Sequence, residues 1–506
     1  MNLADDTTIP AAEDQPMRSG SPLRPTPPRR RGANLYLVAS LYAQVVALLR
    51  YVTLARLLGP AELGLAATFV VTQAFFDLVS DTGSDRFLIQ DADGDGEAVQ
   101  SLVQFVYVAR GLLIAACMVV FSTPLAALYH APQLAIGFMV LALAPAITGF
   151  THMDMRRRQR HHDFRIEAAV MITGDTTSLI VVVTAAILTR SHVAILWGLL
   201  CRAAVCTVVS HLLAKRRYVV AYDKSHGPRL ARYAAPLVAT GVMLFIGGQG
   251  DRVFVANQLG VRELGLYSAV LLLIYYPSAV LLRYMHALFV PSIAGARDDP
   301  AERDRISDVL GSQTVVLGAA MTVGFAIVAP FAVPLLYGVR YAESVLLIGL
   351  IGILQSTRYL INWPTTVALS IGRSSAVMIS NLVRLLAYPG AAVGLWLSHS
   401  LAGLVGGFVV GEILSIGVAI LLLNRNLGRR LSAGFARYAR FLAAAALVIA
   451  WDLLLPRGAP LVLGGLAVLS AGLAVWTVRS ERTGIVTLLE AIGTAMAVLR
   501  PRRGSA

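Results

Sequence analysis

Residues 55–68, ARLLGPAELGLAAT, recur 201 residues later as ANQLGVRELGLYSA at residues 256–269, with seven of the fourteen positions identical. In each copy a glycine ends one apolar segment, and a glutamate stands in the first turn of the next one. Six apolar segments separate the copies, so both copies have the same orientation in a membrane. The repeat therefore predicts two parallel six-helix halves with a cavity between them, which is a transporter architecture.

The composition around the repeat is that of a membrane protein. Of the 506 residues, 57% are hydrophobic and 14% are charged, and the mean hydropathy is +0.68. A soluble chain carries about 25% charged residues. A helix of about 20 apolar residues crosses a hydrocarbon core of about 30 Å. We therefore predict an all-α integral membrane protein of about fourteen transmembrane helices. The predicted spans are 34–57, 63–85, 98–122, 134–153, 167–189, 193–213, 234–258, 264–289, 307–329, 345–369, 375–397, 401–423, 439–455 and 460–478.

The spans group into lobes and tails. Twelve spans form the two lobes related by the repeat, and the last two form a C-terminal addition. The predicted units are a disordered cytoplasmic tail at 1–32, an N-terminal lobe at 33–232, a C-terminal lobe at 233–423, helices 13 and 14 at 424–478, and a cytoplasmic tail with an amphipathic helix at 479–506.

The net charge of +14 is distributed unevenly between the two sets of loops. Most of the 43 lysines and arginines lie in one alternating set, which includes residues 155–165 (MRRRQRHHDFR) and both tails. Cytoplasmic loops carry such an excess, so both termini are predicted to lie in the cytoplasm of a bacterial cell, with the chain in the inner membrane. The charge thus indicates a membrane topology, and we expect no nucleic-acid partner.

Several classes of chemistry are disfavoured. The three cysteines lie inside apolar spans, so neither a disulfide framework nor a zinc site is expected. Neither Lys215 nor Lys224 follows a Walker-type glycine loop, so no ATP site is expected and no cofactor is predicted. The predicted outer loops are too short for a catalytic domain, so we expect a transporter and no enzyme. His161 and His162 lie in a basic loop without spaced partners, and no metal site is predicted.

Polar side chains inside the spans are candidates for a substrate site, because ionisable groups in hydrocarbon usually face a bundle interior or a wet cavity. Arginine dominates this set, and its guanidinium fork matches phosphate oxygens. Tyrosine and amide side chains suit sugar hydroxyls. The alternative, that individual arginines form structural ion pairs or snorkel to the interface, stays open. The substrate-binding candidates are Arg50, Arg110, Arg202, Arg252, Arg358, Arg384, Tyr107, Gln355 and Asn381.

Buried carboxylates form a second set of candidates. Gln73, Asp77, Asp81 and Asp85 follow one another at intervals of four residues, which predicts one polar stripe along the second span. Such carboxylates bind protons or sodium in ion-coupled transporters, or they pair with the arginines, and the sequence leaves both alternatives open. The ion-coupling candidates are Asp77, Asp81, Asp251 and Glu412.

Two stretches support a family resemblance. The segment 55–90 resembles the N-terminal signature of the polysaccharide-biosynthesis oligosaccharide flippases, which belong to the multidrug/oligosaccharidyl-lipid/polysaccharide exporter superfamily. Residues 81–83 (DTG) and 87–90 (FLIQ) match the end of that signature. Residues 251–293 resemble the signature of the second half. The positions that match there are Asp251, Tyr267, Phe289, Pro291 and Ser292.

The resemblance implies a function as well as a fold. It implies two six-helix bundles in a V with two extra helices, and translocation of an undecaprenyl-diphosphate-linked oligosaccharide to the periplasmic leaflet by alternating access. The implied partners are this lipid-linked substrate, the bilayer, and the polysaccharide polymerase and export machinery. A peptidoglycan lipid II flippase and a multidrug antiporter are alternatives within the superfamily. A membrane glycosyltransferase is an alternative of another class, and short outer loops disfavour it.

Overall fold

The computed structural model describes residues 30–296, 299–429, 432–454, 460–482 and 484–490, and they are helical apart from short connections. In lipid, a helix satisfies every backbone polar group within its own segment, which is why apolar sequence of this length folds as helices. In chain order the helices are α1 (Arg30–Leu57), α2 (Pro60–Val79), α3 (Ser84–Gln90), α4 (Glu97–Val120), α5 (Ser122–Leu128), α6 (Leu134–Leu141), α7 (Leu143–Gly149), α8 (Asp154–Gln159), α9 (Arg165–Thr189), α10 (Val193–Leu213), α11 (Gly227–Leu259), α12 (Val261–Gly295), α13 (Pro300–Tyr337), α14 (Val345–Leu360), α15 (Asn362–Ser370), α16 (Ser374–Arg384), α17 (Ala387–Ser398), α18 (Leu401–Leu427), α19 (Ser432–Leu454) and α20 (Pro460–Ser480).

The predicted multi-pass, all-α class is confirmed. Within the described residues, thirteen helical segments are long and apolar enough to cross a membrane. The fourth predicted span is the exception, because residues Leu134–Gly149 form a shorter apolar segment that is divided between α6 and α7. The segments α14–α15 and α16–α17 each contain a break and still count as one span each. The orientation of the termini stays a prediction.

The second predicted span is shorter than expected. Helix α2 ends at Val79, and Gly83 adopts a left-handed φ of 59° before α3 begins. The Asp81 carboxylate accepts a hydrogen bond from the Gly83 backbone N–H at 2.9 Å, which stabilises this turn. The predicted polar stripe therefore ends at Asp77, and Asp81 and Asp85 lie beyond the helix.

The two copies of the repeat form equivalent turns. Gly59 joins α1 to α2 with φ 142°, and Gly260 joins α11 to α12 with φ 91°, a region that disfavours side chains. We call this end of the bundle the repeat end, and the opposite end, which carries residues 154–165, the basic end. Glu62 lies in the first turn of α2, but its carboxylate accepts the His192 backbone N–H at 2.7 Å, at the start of α10.

The repeat also forms the contact between the two lobes. A Cβ atom on Gly64 would overlap the Val261 carbonyl oxygen, and one on Gly265 would overlap the Pro60 carbonyl oxygen. Gly64 and Gly265 are equivalent positions of the repeat, as are Pro60 and Val261. Helices α2 and α12 therefore cross backbone to backbone about a local two-fold axis, an approach that membrane helices make through small residues.

The largest part of the hydrophobic core that both lobes share lies at one end. Towards the repeat end, buried side chains of both lobes form one continuous cluster, which includes Leu63 and Phe69 of α2 and Leu264 of α12. Towards the basic end the clusters are separate. One lies within α12–α19 around Phe289 and Trp363, and a small one lies within the N-terminal lobe. Another small cluster, around Phe87, also includes Leu230 of α11. The lobes thus share one large core at the repeat end, and at the basic end α11 joins the N-terminal lobe.

The C-terminal addition is anchored at the basic end. Glu481 follows α20, is 2% exposed, and forms ion pairs with Arg440 and, at 3.5 Å, with Arg437. Gln313 of α13 donates to Thr487 at 2.9 Å. Residues 484–490 of the predicted amphipathic helix are helical, whereas residues 1–29, most of the predicted N-terminal tail, and residues 491–506 lie outside the described part. The predicted lobe boundaries stay predictions.

The glycine crossing leads to a first prediction. Gly64→Ala and Gly265→Ala should each lower the free energy of unfolding by about 1–3 kcal/mol, because the added methyl group forces two backbones apart. Thermal unfolding of the detergent-purified protein measures this. Gly417→Ala is the matched control, since a Cβ there meets no atom within 4 Å. Equal melting temperatures for all three variants would contradict the close crossing.

Candidate functional site

A cavity of about 150 Å³ lies between the lobes, on the basic-end side of the glycine crossing. Helices α1 and α2 form one wall, and α11 and α12 form the other. Among the described residues, its lining contains arginine, tyrosine and amide side chains and no acidic residue. The residues that line it are Ala47, Arg50, Tyr51, Leu54, Leu63, Ala66, Ala67, Val70, Ile195, Gln249, Arg252, Ser268, Leu272, Tyr275 and Tyr276.

Two arginines, one from each lobe, face this cavity. Both Arg50 and Arg252 were substrate-binding candidates from sequence. Among the described residues, neither has a carboxylate oxygen within 4.0 Å. Arg50 Nη1 donates to the Ser178 hydroxyl at 3.0 Å. Arg252 is 6% exposed, and its Nε finds no acceptor in the described part of the chain. The cavity thus holds two guanidinium groups without a counter-charge in contact, a pattern that favours an anionic ligand.

Other polar groups complete the lining. The buried Gln249 side-chain oxygen has no hydrogen-bond donor among the described residues, and it lies on α11 one turn before Arg252. Ser268, Tyr275 and Tyr276 share one face of α12. These residues and Tyr51 were not predicted as site residues. The spacing of Ser268, Leu272, Tyr275 and Tyr276 is the signal that could have indicated them, but an aromatic stripe in an apolar helix more often packs in a core.

Four of the predicted residues form a buried ionic network in the C-terminal lobe. Arg358 of α14 lies 3.0 Å from the Asp251 carboxylate and 3.0 Å from the Glu412 carboxylate. Arg384 of α16 lies 2.7 Å from Glu412, and the Tyr267 hydroxyl donates to Asp251. The carboxylate side chains are 1% and 2% exposed, and the arginine side chains 11% and 16%. Two positive and two negative charges therefore compensate one another inside this lobe.

The remaining C-terminal candidates lie outside the cavity lining. The Gln355 amide donates to the Ser278 hydroxyl at 2.9 Å and joins α14 to α12. Asn381 is half-buried on α16, in the same helix as Arg384. In the described structure Gln355 thus acts as a link between helices.

In two ion pairs of the N-terminal lobe, one of the two side chains is exposed. Arg202 of α10 lies 2.7 Å from Asp175 of α9, and its side chain is 43% exposed. Arg110 of α4 donates to the Ser80 hydroxyl at 2.9 Å and to the Asp77 carbonyl oxygen at 2.7 Å. The Asp77 carboxylate is 51% exposed and lies 4.0 Å from Arg110. The side chains of Arg202 and Asp77 are therefore more exposed than the ionic network of the other lobe.

Two predicted residues lie near the basic end. Asp81 forms an ion pair with Arg86 at 2.9 Å, in addition to its bond with the Gly83 backbone. Tyr107 of α4 packs beside the cluster that contains Phe87. Neither residue lines the cavity, so the structure separates them from Arg50 and Arg252.

The loop between α3 and α4 carries three aspartates that pair with cations from neighbouring elements. Burial opposes ionisation of Asp95, but a hydrogen bond from His161 and the charges of Arg160 and Arg157 lower its pKa below the usual value. Arg229, at the start of α11, lies 3.0 Å from Asp93 and lowers the pKa of that carboxyl. Within the described residues no cluster of three or more histidine, cysteine, aspartate or glutamate side chains could hold a metal ion.

Comparison with known proteins places this geometry in a family. The family described as polysaccharide biosynthesis protein matches residues 53–346, more than half of the chain. The succinoglycan biosynthesis transport protein ExoT of Rhizobium meliloti (strain 1021) is 25% identical over 312 residues, which are 60% of this chain and 62% of the relative. The aligned region thus spans less than two thirds of that relative's length.

Solved structures resemble the fold at low sequence identity. An inward-facing multidrug resistance MATE family transporter of the MOP superfamily aligns with a TM-score of 0.60 and 14% identity, over 77% of this chain and 94% of that chain. The lipid II flippase MurJ, in an inward closed conformation, aligns with a TM-score of 0.61 and 12% identity, over 88% and 99%. The chain has the fold of these membrane transport proteins, and it belongs to the polysaccharide biosynthesis protein family.

Proposed function

We propose that the chain is a flippase of the bacterial inner membrane. It moves an undecaprenyl-diphosphate-linked oligosaccharide from the cytoplasmic to the periplasmic leaflet by alternating access, for synthesis of exopolysaccharide, capsule or O-antigen. The polysaccharide polymerase and export machinery are the proposed downstream partners. The observation that carries the proposal is the cavity between the lobes, where Arg50 and Arg252 have no carboxylate partner among the described residues.

The chemistry of the cavity suits a sugar diphosphate. A buried, uncompensated charge is unfavourable, so two guanidinium groups in one cavity favour a ligand that brings negative charge. A diphosphate offers several oxygens to the guanidinium forks of Arg50 and Arg252. Gln249, Tyr275 and Tyr276 add hydrogen-bonding groups beside them, of the kind that sugar hydroxyls contact.

The α12 side of the cavity supplies the access route. Near the basic end α11 packs against α2 and α3, as at Tyr233 and Phe87, whereas the buried cluster around Phe289 of α12 contains residues of the C-terminal lobe alone among the described residues, so the cleft lies between α1 and α12. Excess basic residues mark the cytoplasmic side, so this conformation receives substrate from the cytoplasm. The exposed Arg202 and the half-exposed Asp77 provide polar surface to a hydrated glycan in the N-terminal lobe.

The fold does not distinguish among the alternative transport functions, whereas the charge of the cavity does. The chain resembles a multidrug transporter and a lipid II flippase equally, with TM-scores of 0.60 and 0.61. A cation antiporter site would favour carboxylates and aromatic residues over arginines. Among the described residues this lining has tyrosines and two arginines but no carboxylate, and the arginines disfavour a cationic substrate. A lipid II flippase would share the diphosphate chemistry, so the glycan must be identified by experiment. The transporter fold favours transport over the glycosyltransferase alternative.

Among the carboxylates, Asp77 is the proposed coupling group for a proton or sodium ion. Asp81, Asp251 and Glu412 each have an arginine nitrogen at 3.0 Å or closer. Asp77 lies 4.0 Å from Arg110 and is half exposed. A carboxylate with a weak partner and access to water gains or loses a cation at lower cost than one held in a close ion pair.

The function is tested in a gene-deletion strain complemented with variants. Arg50→Gln and Arg252→Gln should each reduce surface polysaccharide and lipid-linked glycan delivery at least tenfold, because each loses a charge-assisted hydrogen bond of about 1.5–3 kcal/mol. Radiolabelled lipid-linked glycan in spheroplasts measures delivery. Arg86→Gln is the control, since this arginine is 53% exposed and lies outside the cavity.

The same strain decides between the alternatives. We expect the deletion to accumulate a lipid-linked oligosaccharide on the cytoplasmic side. Accumulation of peptidoglycan precursor would indicate a lipid II flippase instead. Unchanged surface polysaccharide together with increased sensitivity to cationic drugs would indicate an antiporter, and the proposed function would be wrong.

The coupling role of Asp77 predicts a loss of gradient dependence without a loss of stability. Asp77→Asn should abolish the dependence of transport on the proton or sodium gradient while leaving the melting temperature within about 1 °C, because a half-exposed pair contributes little to stability. Transport into proteoliposomes with and without each gradient measures this. Retention of the full gradient dependence in Asp77→Asn would exclude this carboxylate.

For the buried ionic network of Arg358, Asp251 and Glu412, we predict a loss of stability and no loss of transport per folded molecule. Arg358→Ala should destabilise the protein by about 3–5 kcal/mol, because it leaves Asp251 and Glu412 buried with less compensation. Transport should fall only in proportion to the folded protein, as measured by thermal unfolding and by transport per folded molecule. Arg305→Gln, at a pair in which both side chains are exposed, is the control, and its melting temperature should stay close to that of the unaltered protein. An unchanged melting temperature with lost transport would show that Arg358 contacts the substrate.

A further inference from the structure

A side chain at the end of α1 reaches across to the other lobe. Arg56 Nη1 donates to the Leu335 carbonyl oxygen at 2.6 Å and lies 3.5 Å from the Leu336 carbonyl oxygen. Both carbonyls belong to the last turn of α13, where backbone oxygens have no partner within the helix. A guanidinium group at a helix C-terminus also interacts favourably with the helix dipole.

A second side chain makes the corresponding contact in the opposite direction. The Asn257 amide, near the end of α11, donates to the Leu128 carbonyl oxygen at 2.9 Å. Leu128 is the last residue of α5, which continues the third span of the N-terminal lobe after α4. This bond therefore also satisfies a free carbonyl at a helix end of the other lobe.

The two contacts are related by the internal repeat. Arg56 is the second residue of the first copy, and Asn257 is the second residue of the second copy. Each lies at the end of the first helix of its lobe and binds the end of the third span of the opposite lobe. The repeat thus places two reciprocal bonds around the crossing of Gly64 and Gly265, although the residues themselves differ.

We propose that Arg56 and Asn257 form a two-point latch that holds the repeat end closed. The inference rests on the alternating-access part of the proposed function, because opening to the periplasm requires the lobes to separate at this end. The two points are unequal. The Arg56 bond is charge-assisted and the Asn257 bond is neutral, so the Arg56 point holds more strongly. Together, the two bonds make the closed repeat end the resting state of the unloaded protein.

The test measures access to the cavity from the periplasmic side. The three native cysteines are replaced by serine, and Ser268→Cys places one thiol in the cavity lining. A membrane-impermeant maleimide is then added to spheroplasts. Arg56→Met should raise the labelling rate about tenfold, which corresponds to about 1.4 kcal/mol, and Asn257→Ala should raise it about threefold. The double variant should exceed both.

The control is an arginine of the same end that makes no bond to the other lobe. Arg262 is 66% exposed and pairs with its neighbour Glu263, so Arg262→Met should leave the labelling rate unchanged. If Arg56→Met does not reach the membrane, Asn257→Asp tests the latch from its other point, because a carboxylate cannot donate to the Leu128 carbonyl. Unchanged labelling in every folded latch variant would overturn the proposal.

This outcome is separable from failure of the proposed function. Labelling of the thiol introduced by Ser268→Cys reports the conformation of the protein and needs no substrate. Unimpaired glycan delivery in the Arg50 and Arg252 variants would refute the substrate assignment while leaving the latch result valid. Unchanged labelling in the latch variants would refute the latch while leaving the cavity assignment valid.

Discussion

The backbone contact between α2 and α12 is the constraint on which the rest of the structure depends. At Gly64 and Gly265 the two helices approach too closely for any side chain, and each glycine faces a carbonyl oxygen of the other lobe. This contact fixes the separation of the lobes at the repeat end and allows one hydrophobic core to extend across both. A cavity lies on the basic-end side of this contact, between α1, α2, α11 and α12.

The arginines differ in whether a carboxylate contacts them, and this difference indicates different roles. Arg358 and Arg384 lie against buried carboxylates, which is the arrangement that low dielectric demands. Arg50 and Arg252 lie in the cavity without a carboxylate in contact among the described residues. A guanidinium group without a carboxylate in contact is available to a ligand, whereas one in a close ion pair links the helices of its own lobe. The contrast, more than the number of arginines, supports an anionic substrate.

The two lobes are related by the repeat but are not equivalent. The C-terminal lobe seals its ionic network from solvent, and the N-terminal lobe exposes its pairs at Arg202 and Asp77. The same inequality occurs at the repeat end, where arginine occupies one position and asparagine its counterpart. The repeat thus shares its turn geometry between the lobes, whereas the polar side chains of the two lobes differ.

The sequence by itself determined the fold class, because in lipid a long apolar segment satisfies its backbone hydrogen bonds as a helix. The recurrence of residues 55–68 at 256–269 also indicated the duplication. The sequence also yielded Arg50 and Arg252 as candidates. It did not show that α2 stops at Val79, since the left-handed turn at Gly83 interrupts an otherwise helical pattern of aspartates. Only the tertiary structure decided which arginines are paired, because Asp251, Arg358 and Glu412 are far apart in the chain and meet only when α11, α14 and α18 pack. An ion pair depends on the distance between two side chains in space. The spacing of residues within one helix does not predict which residues of other helices they meet.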